Sequence, residues 1–315
     1  MGTLFTITLY ARDESIARAA AEAAFRRVSE LDDVMSDYQA DSELMRLSEQ
    51  QPGLPVHVSA ELFAVLEQAQ RVSKLSRGAF DVTIGPCVRL WRFSRKRKTL
   101  PDPGELAAAR QAVGYSKLHL DARHQTVTLL APNMRLDLGG IAKGYAADKA
   151  LELLKGRGCN RALVAASGDI AIGDPPPGHK GWRIAISGVE ADSAHTGPAL
   201  LLRNAAVSTS GDAEQFVEIN GTRYSHILDP ATGLGLSRAI QATVIAPNAT
   251  LSDALATSVC ILGPASGSKL VESLPGAATC IFWKDDAGMN SKVSSRWNGF
   301  VNRVPAAKRV DPKKN

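Results

Sequence analysis

Cysteine is scarce in this chain, and the four present, Cys87, Cys159, Cys260 and Cys280, stand far apart with no CxxC pair. That spacing excludes a zinc ribbon and a dense disulfide framework, and it points to buried thiols. Long apolar runs are missing as well, since none approaches the roughly 18 to 20 residues that span a bilayer. The chain opens MGTLFTITLYARDES, which alternates like a strand and carries neither the charged leader nor the cleavage site of a signal peptide. It is therefore read as a soluble chain without a signal. No internal repeat is visible, and no linker precedes the tail, so one domain over 1–304 with a polar basic tail at 305–315 is the simplest organisation. Charge of one sign is also modest. Much of the net +5 sits in RFSRKRKTLPDPG (92–104) and in the tail AAKRVDPKKN, which read as a solvated loop and a frayed terminus. Nucleic-acid binding would need aromatic platforms or a known motif as well, so no nucleic-acid partner is expected. The excess positive charge favours an anionic cofactor instead.

What the chain does have is a mixture of helical and strand patterns, without the regular βα alternation of a doubly wound sheet. SIARAAAEAAFRRVSELDDVMSDY (15–38) reads as an amphipathic helix, and SAELFAVLEQAQRVSKLSRG (59–78) as a second, with Ser59 as N-cap and Gly78 as C-cap. After a glycine-rich helix come the short β-branched runs RALVAAS and GWRIAIS. AEQFVEINGTRYSHILD follows, where Asn220-Gly221 between alternating runs signals a hairpin. TLSDALATSVCILG (250–263) reads as a further helix before another hairpin, TCIFWKDDAGMNSKVSSRWNGF. Helices early and strands later predict an α+β fold with antiparallel sheets rather than a doubly wound one.

Three constellations carry chemistry. In RLDLGGIAKGYAADKALELL (135–154) a helix begins with Gly139, Gly140 and Gly144 in or beside its first turn. Interior glycine costs a helix roughly 1 kcal/mol relative to alanine, so these positions need a reason. Helix N-termini attract phosphate and glycine lets the backbone approach it, with Lys143 adding a mobile positive charge; close helix–strand packing explains the glycines equally well. The pattern is not a P-loop, because no GxxxxGK[ST] is present. In LSDALATS, Asp253 and Thr257 stack on one helical face and offer oxygen, the ligand type that Mg²⁺ prefers. The same pair also suits a dipole-complementing Asp and a Thr bonded to its own backbone. In RYSHILDPATG the second strand of the hairpin puts Tyr224, His226 and Leu228 on one face before Asp229-Pro230 breaks the ladder. Ser225, His226 and Asp229 are triad-like in letters only, because triads are assembled in space.

Taken with MGT at the start, MSDYQADSEL (35–44), GAFDVTIGPCVRLWRF (78–93), LDLGGIAKGYAAD (136–148), ASGDI (166–170), STSGD (208–212), YSHILDPATG (224–233) and SDALAT (252–257), the chain resembles the ApbE-type FAD:protein FMN transferases nearly from end to end. The resemblance implies a flavin dinucleotide in a cleft, its pyrophosphate bridged to Mg²⁺, and FMN passed to a Ser or Thr hydroxyl of a target protein with release of AMP. It implies cofactor contacts at Met1, Tyr38, Ala79, Phe80, Asp81, Asp137, Lys143 and Ile227. It also implies metal ligation by Asp253, Thr257 and the backbone carbonyl of Gly140. Two departures stand out. Ala256 lies where members often carry another carboxylate, which would thin the metal shell, and Ser167 replaces a glycine.

Phosphoryl transfer asks a protein chiefly to position reactants and neutralise charge. His226 is the candidate general base, since an unperturbed imidazole titrates near neutral pH. A FAD pyrophosphatase yielding FMN and AMP would use the same residues with water as nucleophile, and a non-catalytic flavin-binding protein would have no use for Asp253 and His226. Relatives are commonly exported, so an extracytoplasmic location is expected.

Overall fold

The computed structural model describes residues 2–186, 199–211 and 215–301; Met1 and the tail 305–315 lie outside the described residues. The fold is α+β. Its helices are α1 (Glu14–Met35), α2 (Glu43–Ser48), α3 (Ala60–Leu75), α4 (Gly85–Arg97), α5 (Pro103–Gln111), α6 (Ala142–Gly156) and α7 (Ala249–Glu272). The main sheet has seven strands: β1 (Phe5–Leu9), β2 (Ala162–Ala166), β3 (Asp169–Ile172), β4 (Ala205–Gly211), β5 (Ile240–Ala246), β6 (Ala278–Asp285) and β7 (Gly288–Val293). Strand order across the sheet is chain order, and every neighbouring pair is antiparallel.

Period-2 alternation sends successive side chains of these strands to opposite faces. Ala162, Val164 and Ala206 join a small-residue cluster with Ala20 and Ala24 of α1, Ala147 and Ala150 of α6, and Ala249 of α7. Val207 and Ile245 point the other way, into a cluster with Trp182, Leu200, Leu202 and Trp297. Alanine on three adjoining helices lets their axes come close. A second body of core, with Leu31, Leu62, Leu66, Val127 and Leu138, lies under α1, α3 and a three-stranded sheet of residues 56–57, 118–121 and 126–129.

Several expected boundaries move, each for a local reason. The first helix stops at Met35, because Ser36 caps it in extended conformation, and Asp37 and Tyr38 follow in a bend outside it. Ser59 caps α3, accepting from the Leu62 N–H, but the helix ends at Leu75 with Ser76 as cap; Arg77 and Gly78 beyond it both take positive φ. Half of the basic stretch 92–104 is helical, because α4 runs to Arg97 and closes on Lys98 at φ 54°. The Asn220-Gly221 hairpin forms between Phe216–Ile219 and Thr222–Ser225. Its second strand ends before His226, so Tyr224, His226 and Leu228 do not share one strand face. The Ser225 hydroxyl accepts from the Ile227 N–H at 3.0 Å and turns the chain there. α7 continues past 263 through a kink, where Gly263 has φ 76° and Pro264 follows. It is also long and apolar enough to cross a membrane by length and composition, contrary to the expectation of no such run, yet most of it is buried against the sheet and α6.

The contact between α6 and α7 accounts for one of the three glycines. A Cβ on Gly144 would sit 2.1 Å from the Ala249 carbonyl oxygen and 2.9 Å from Asp253 Cβ, so this glycine serves packing. One turn later Asp148 caps α7, its Oδ1 accepting from the Ala249 N–H and its Oδ2 from the Thr250 N–H, both at 2.8 Å. Gly144→Ala is expected to lower Tm by roughly 5 to 10 °C, because overpacking against backbone costs a few kcal/mol. Calorimetry reads it, and an unchanged Tm would mean that the helices tolerate separation.

Candidate active site

A cleft of about 720 Å³ opens between the two bodies of core. It is lined by Tyr38, Ala79, Phe80, Asp81, Asp137, Gly140, Lys143, His226, Ile227, Asp253 and Thr257. Every site residue singled out in the sequence, apart from the undescribed Met1, therefore meets in one cavity. The side chains do different things there.

Lys143, in the first turn of α6, is not the mobile charge expected. Its ammonium lies 2.9 Å from Asp169 Oδ2 and 3.3 Å from the Asp253 carboxylate, and it donates to the Gly139 carbonyl at 3.2 Å. Burial works against the ammonium, but Asp253 and Asp169 overcome that and hold its pKa above the ordinary lysine value. Asp253, on the first turns of α7, is 1% exposed and accepts from the Gly144 N–H at 3.1 Å. Burial, then the neighbouring Asp169, pushes its carboxyl up to about 7 against the pull of Lys143. Two carboxylates thus share one ammonium, and Asp169 Oδ1 is buried with no hydrogen-bond partner among the described residues. The site is short of positive charge.

Thr257 lies one turn beyond Asp253, its hydroxyl 3.3 Å from that of Ser210 on β4. Gly140 faces it: a Cβ there would stand 3.1 Å from Thr257 Oγ1 and 3.2 Å from Phe80 Cε2. Gly140 therefore keeps the turn before α6 against α7. Ala256 is fully buried in the apolar cluster with Leu255 and Val259. Its side chain faces the core. Ser167 sits at φ 57° in the turn between β2 and β3, a conformation that glycine adopts without strain.

Asp81 and Phe80 line the cleft with little exposed surface. The Asp81 carboxylate accepts from the Thr83 N–H, the Thr83 hydroxyl and the Tyr115 N–H, at 2.6 to 2.9 Å, and burial raises its pKa. It braces its own loop. Phe80, 4% exposed, forms the floor rather than a stacking face. Tyr38, by contrast, is 71% exposed at the edge of the cleft. Ala79 and the buried Ile227 line the wall.

Asp137 accepts from the Gly139 N–H at 2.8 Å and pairs with Arg92 at 3.3 Å. Burial, then the nearby Asp37, pushes it up to about 6, although the Gly139 bond and Arg92 oppose this. A carboxyl with a folded-state pKa above its unfolded value holds extra protons when folded, so its contribution to stability is largest below about pH 4 and is lost as pH rises through about 6. Asp137→Asn is expected to flatten the fall in Tm over that window relative to the wild type. Parallel Tm–pH curves would show that Asp137 titrates normally.

His226 follows the hairpin and is held by residue 215: its backbone N–H and its ring Nδ1 both lie 3.1 Å from the Gln215 carbonyl oxygen. A carbonyl can only accept, so Nδ1 carries the proton and Nε2 the lone pair.

Sequence reasoning missed Asp169, Arg92 and Asp37. Asp169 lies within the quoted ASGDI and Arg92 within the quoted LWRF, but nothing in either stretch says that the chain folds them onto Lys143 or Asp137.

A family model described as the ApbE family matches residues 1–282. An FAD:protein FMN transferase from Vibrio cholerae is 32% identical over 308 residues, covering 96% of this chain and 91% of that protein. One from Treponema pallidum is 34% identical over 323 residues, covering 96% and 86%. Among solved structures, the flavin transferase ApbE from Vibrio cholerae superposes with a TM-score of 0.87 at 30% identity, covering 96% of both chains. The ApbE protein from Thermotoga maritima gives 0.84 at 30% identity with the same coverage. With that match over most of its length and relatives of this similarity, the chain belongs to the ApbE family of flavin transferases.

Proposed function

We propose that the protein transfers the FMN half of FAD to a Ser or Thr hydroxyl of a target protein and releases AMP. The observation that carries this reading is the convergence of Lys143, Asp253, Thr257 and His226 on one cleft whose edge bears the exposed Tyr38. The named relatives are FAD:protein FMN transferases, which supports the same reaction here.

The residues fit a magnesium ion. Two buried carboxylates share a single ammonium, and one buried carboxylate oxygen lacks a partner among the described residues, so the site has room for further positive charge. Among the described residues no cluster of three His, Cys, Asp or Glu is present. Such a sparse, all-oxygen donor set suits Mg²⁺, which binds through one or two carboxylates and keeps water and substrate phosphates in its shell. Asp253, Thr257 and the Gly140 carbonyl would hold it. When bound, it would polarise the phosphoryl oxygens and stabilise the departing AMP.

The chain's own groups perform the rest. Tyr38 offers a ring face to the isoalloxazine. The glycine turn at 139–140 and the Lys143 ammonium bring backbone and charge to the pyrophosphate side. The acceptor hydroxyl attacks the FMN phosphorus, the bond from that phosphorus to the bridging oxygen breaks, and AMP leaves. His226 takes the hydroxyl proton at Nε2, the nitrogen left with the lone pair by the Gln215 carbonyl.

Incubation with FAD, Mg²⁺ and a threonine-bearing acceptor peptide, followed by intact-mass analysis, tests this reading. Peptide gaining the mass of FMN with stoichiometric AMP is the expected result. Free FMN and AMP with unmodified peptide would mean a pyrophosphatase, and intact FAD a binding protein.

A further inference from the structure

α4 separates the exposed Tyr38 from the turn that leads into α6, and one of its residues touches both. The Arg92 guanidinium lies over the Tyr38 ring, 4.2 Å from its centroid. The same group pairs with Asp37, the residue before Tyr38, at 2.5 Å and with Asp137 at 3.3 Å. Asp137 in turn accepts from the Gly139 N–H. We propose that Arg92 is a positioning residue, a bracket that fixes the tyrosine platform for the flavin ring relative to the backbone turn that meets the pyrophosphate. The inference rests on the FAD reading given above.

The chemistry favours positioning over direct phosphate binding. Two carboxylates already neutralise the guanidinium, which lowers its attraction for a further anion. Its central carbon stands over one face of the Tyr38 ring, and the ring keeps enough exposed surface to meet a ligand. Attachment is at two points, because Asp37 ties the segment's backbone while the stacked guanidinium restrains the ring. Without the bracket, a ring that is 71% exposed would lose its rotamer freedom only when the flavin arrives. Arginine suits the task better than lysine, since only a planar fork can stack on an aromatic face while bonding along its edge.

Fluorescence titrations with FAD, riboflavin and ADP test the inference, with thermal unfolding of each variant as the folding control. Arg92→Ala is expected to weaken FAD and riboflavin about three- to tenfold, the range set by ordering one flexible side chain, and to leave ADP unchanged. Arg92→Lys, which keeps the charge between Asp37 and Asp137, should fall between the two. In a Tyr38→Ala background, Arg92→Ala should cost nothing more. Parallel weakening of ADP would identify a phosphate contact or a general disturbance of the cleft and would overturn the proposal, as would a full effect in the Tyr38→Ala background. Tight wild-type FAD binding that Arg92→Ala leaves unchanged overturns this inference alone. Wild-type protein that binds neither FAD nor riboflavin overturns the FAD reading and the inference together.

Discussion

Asp253→Asn is expected to bring FMN transfer close to zero while FAD still binds. The substitution keeps the size, the place on α7 and an oxygen able to accept from the Gly144 N–H, so the contact between α6 and α7 survives. What disappears is a charge. Lys143 is left with Asp169 alone, and the proposed metal loses its principal anionic ligand, for which a neutral amide oxygen is a weak substitute at a hard cation. Transfer rates measured against Mg²⁺ concentration should show partial rescue at high metal. Thr257→Val should behave in the same way but more mildly, because a hydroxyl contributes less than a carboxylate, and its rescue should be fuller. Tm separates chemistry from folding: the Asn variant should unfold cooperatively near the wild-type temperature. If it transfers FMN at the normal rate in limiting Mg²⁺, the metal lies elsewhere and Asp253 serves only to hold Lys143 and the start of α6.

The second large effect is at His226. Replacement by alanine is expected to lower transfer by roughly two to four orders of magnitude, the range for loss of a general base, with FAD affinity little changed. The Gln215 carbonyl matters here because it holds the imidazole in the tautomer that can accept a proton at Nε2. His226→Gln, which can donate and accept hydrogen bonds but cannot act as a base near neutrality, should be as impaired as the alanine variant. Single-turnover rates with saturating FAD and acceptor peptide read the chemical step directly. A glutamine variant that retains most of the rate would assign His226 to acceptor positioning rather than proton transfer.

What could be read from the sequence was short-range. Ser59 and the Asn220-Gly221 turn act within three or four residues, and both formed as their local chemistry requires. Asp253 and Thr257 are one helical turn apart, so their common face followed from periodicity alone. The family resemblance then gathered residues from eight segments into one expected cleft. Beyond that, the decisive contacts join residues far apart in the chain. Lys143 meets Asp253 across 110 positions, and Gly144 meets the backbone of Ala249. No local pattern announces such pairs, which is why the sequence reads Lys143 as mobile and does not show what Gly144 packs against. His226 was misassigned to a strand for a subtler reason. The alternation continues through RYSHIL, but the Ser225 hydroxyl captures the Ile227 N–H, and a side chain competing for backbone partners ends a ladder without changing its hydrophobic pattern.

The order of strands in the main sheet bears on how the protein is made. β1 leaves the ribosome before the other strands of the main sheet, yet its partner there, β2, begins at Ala162, so closing that pair spans about 150 residues of chain, an entropic cost that grows only slowly with loop length but delays the pairing. Until β2 emerges, Phe5–Leu9 is an unpaired apolar edge, and Gly2 and Thr3, which border the cleft, have no fixed place. Meanwhile the helices α1 to α6 and the turns between them, which together carry Tyr38, Arg92, Asp137 and Lys143, are all synthesised inside that single excursion. The residues of one side of the cleft are therefore all synthesised before the first strand can dock beside its partner and fix Gly2 and Thr3 at the rim.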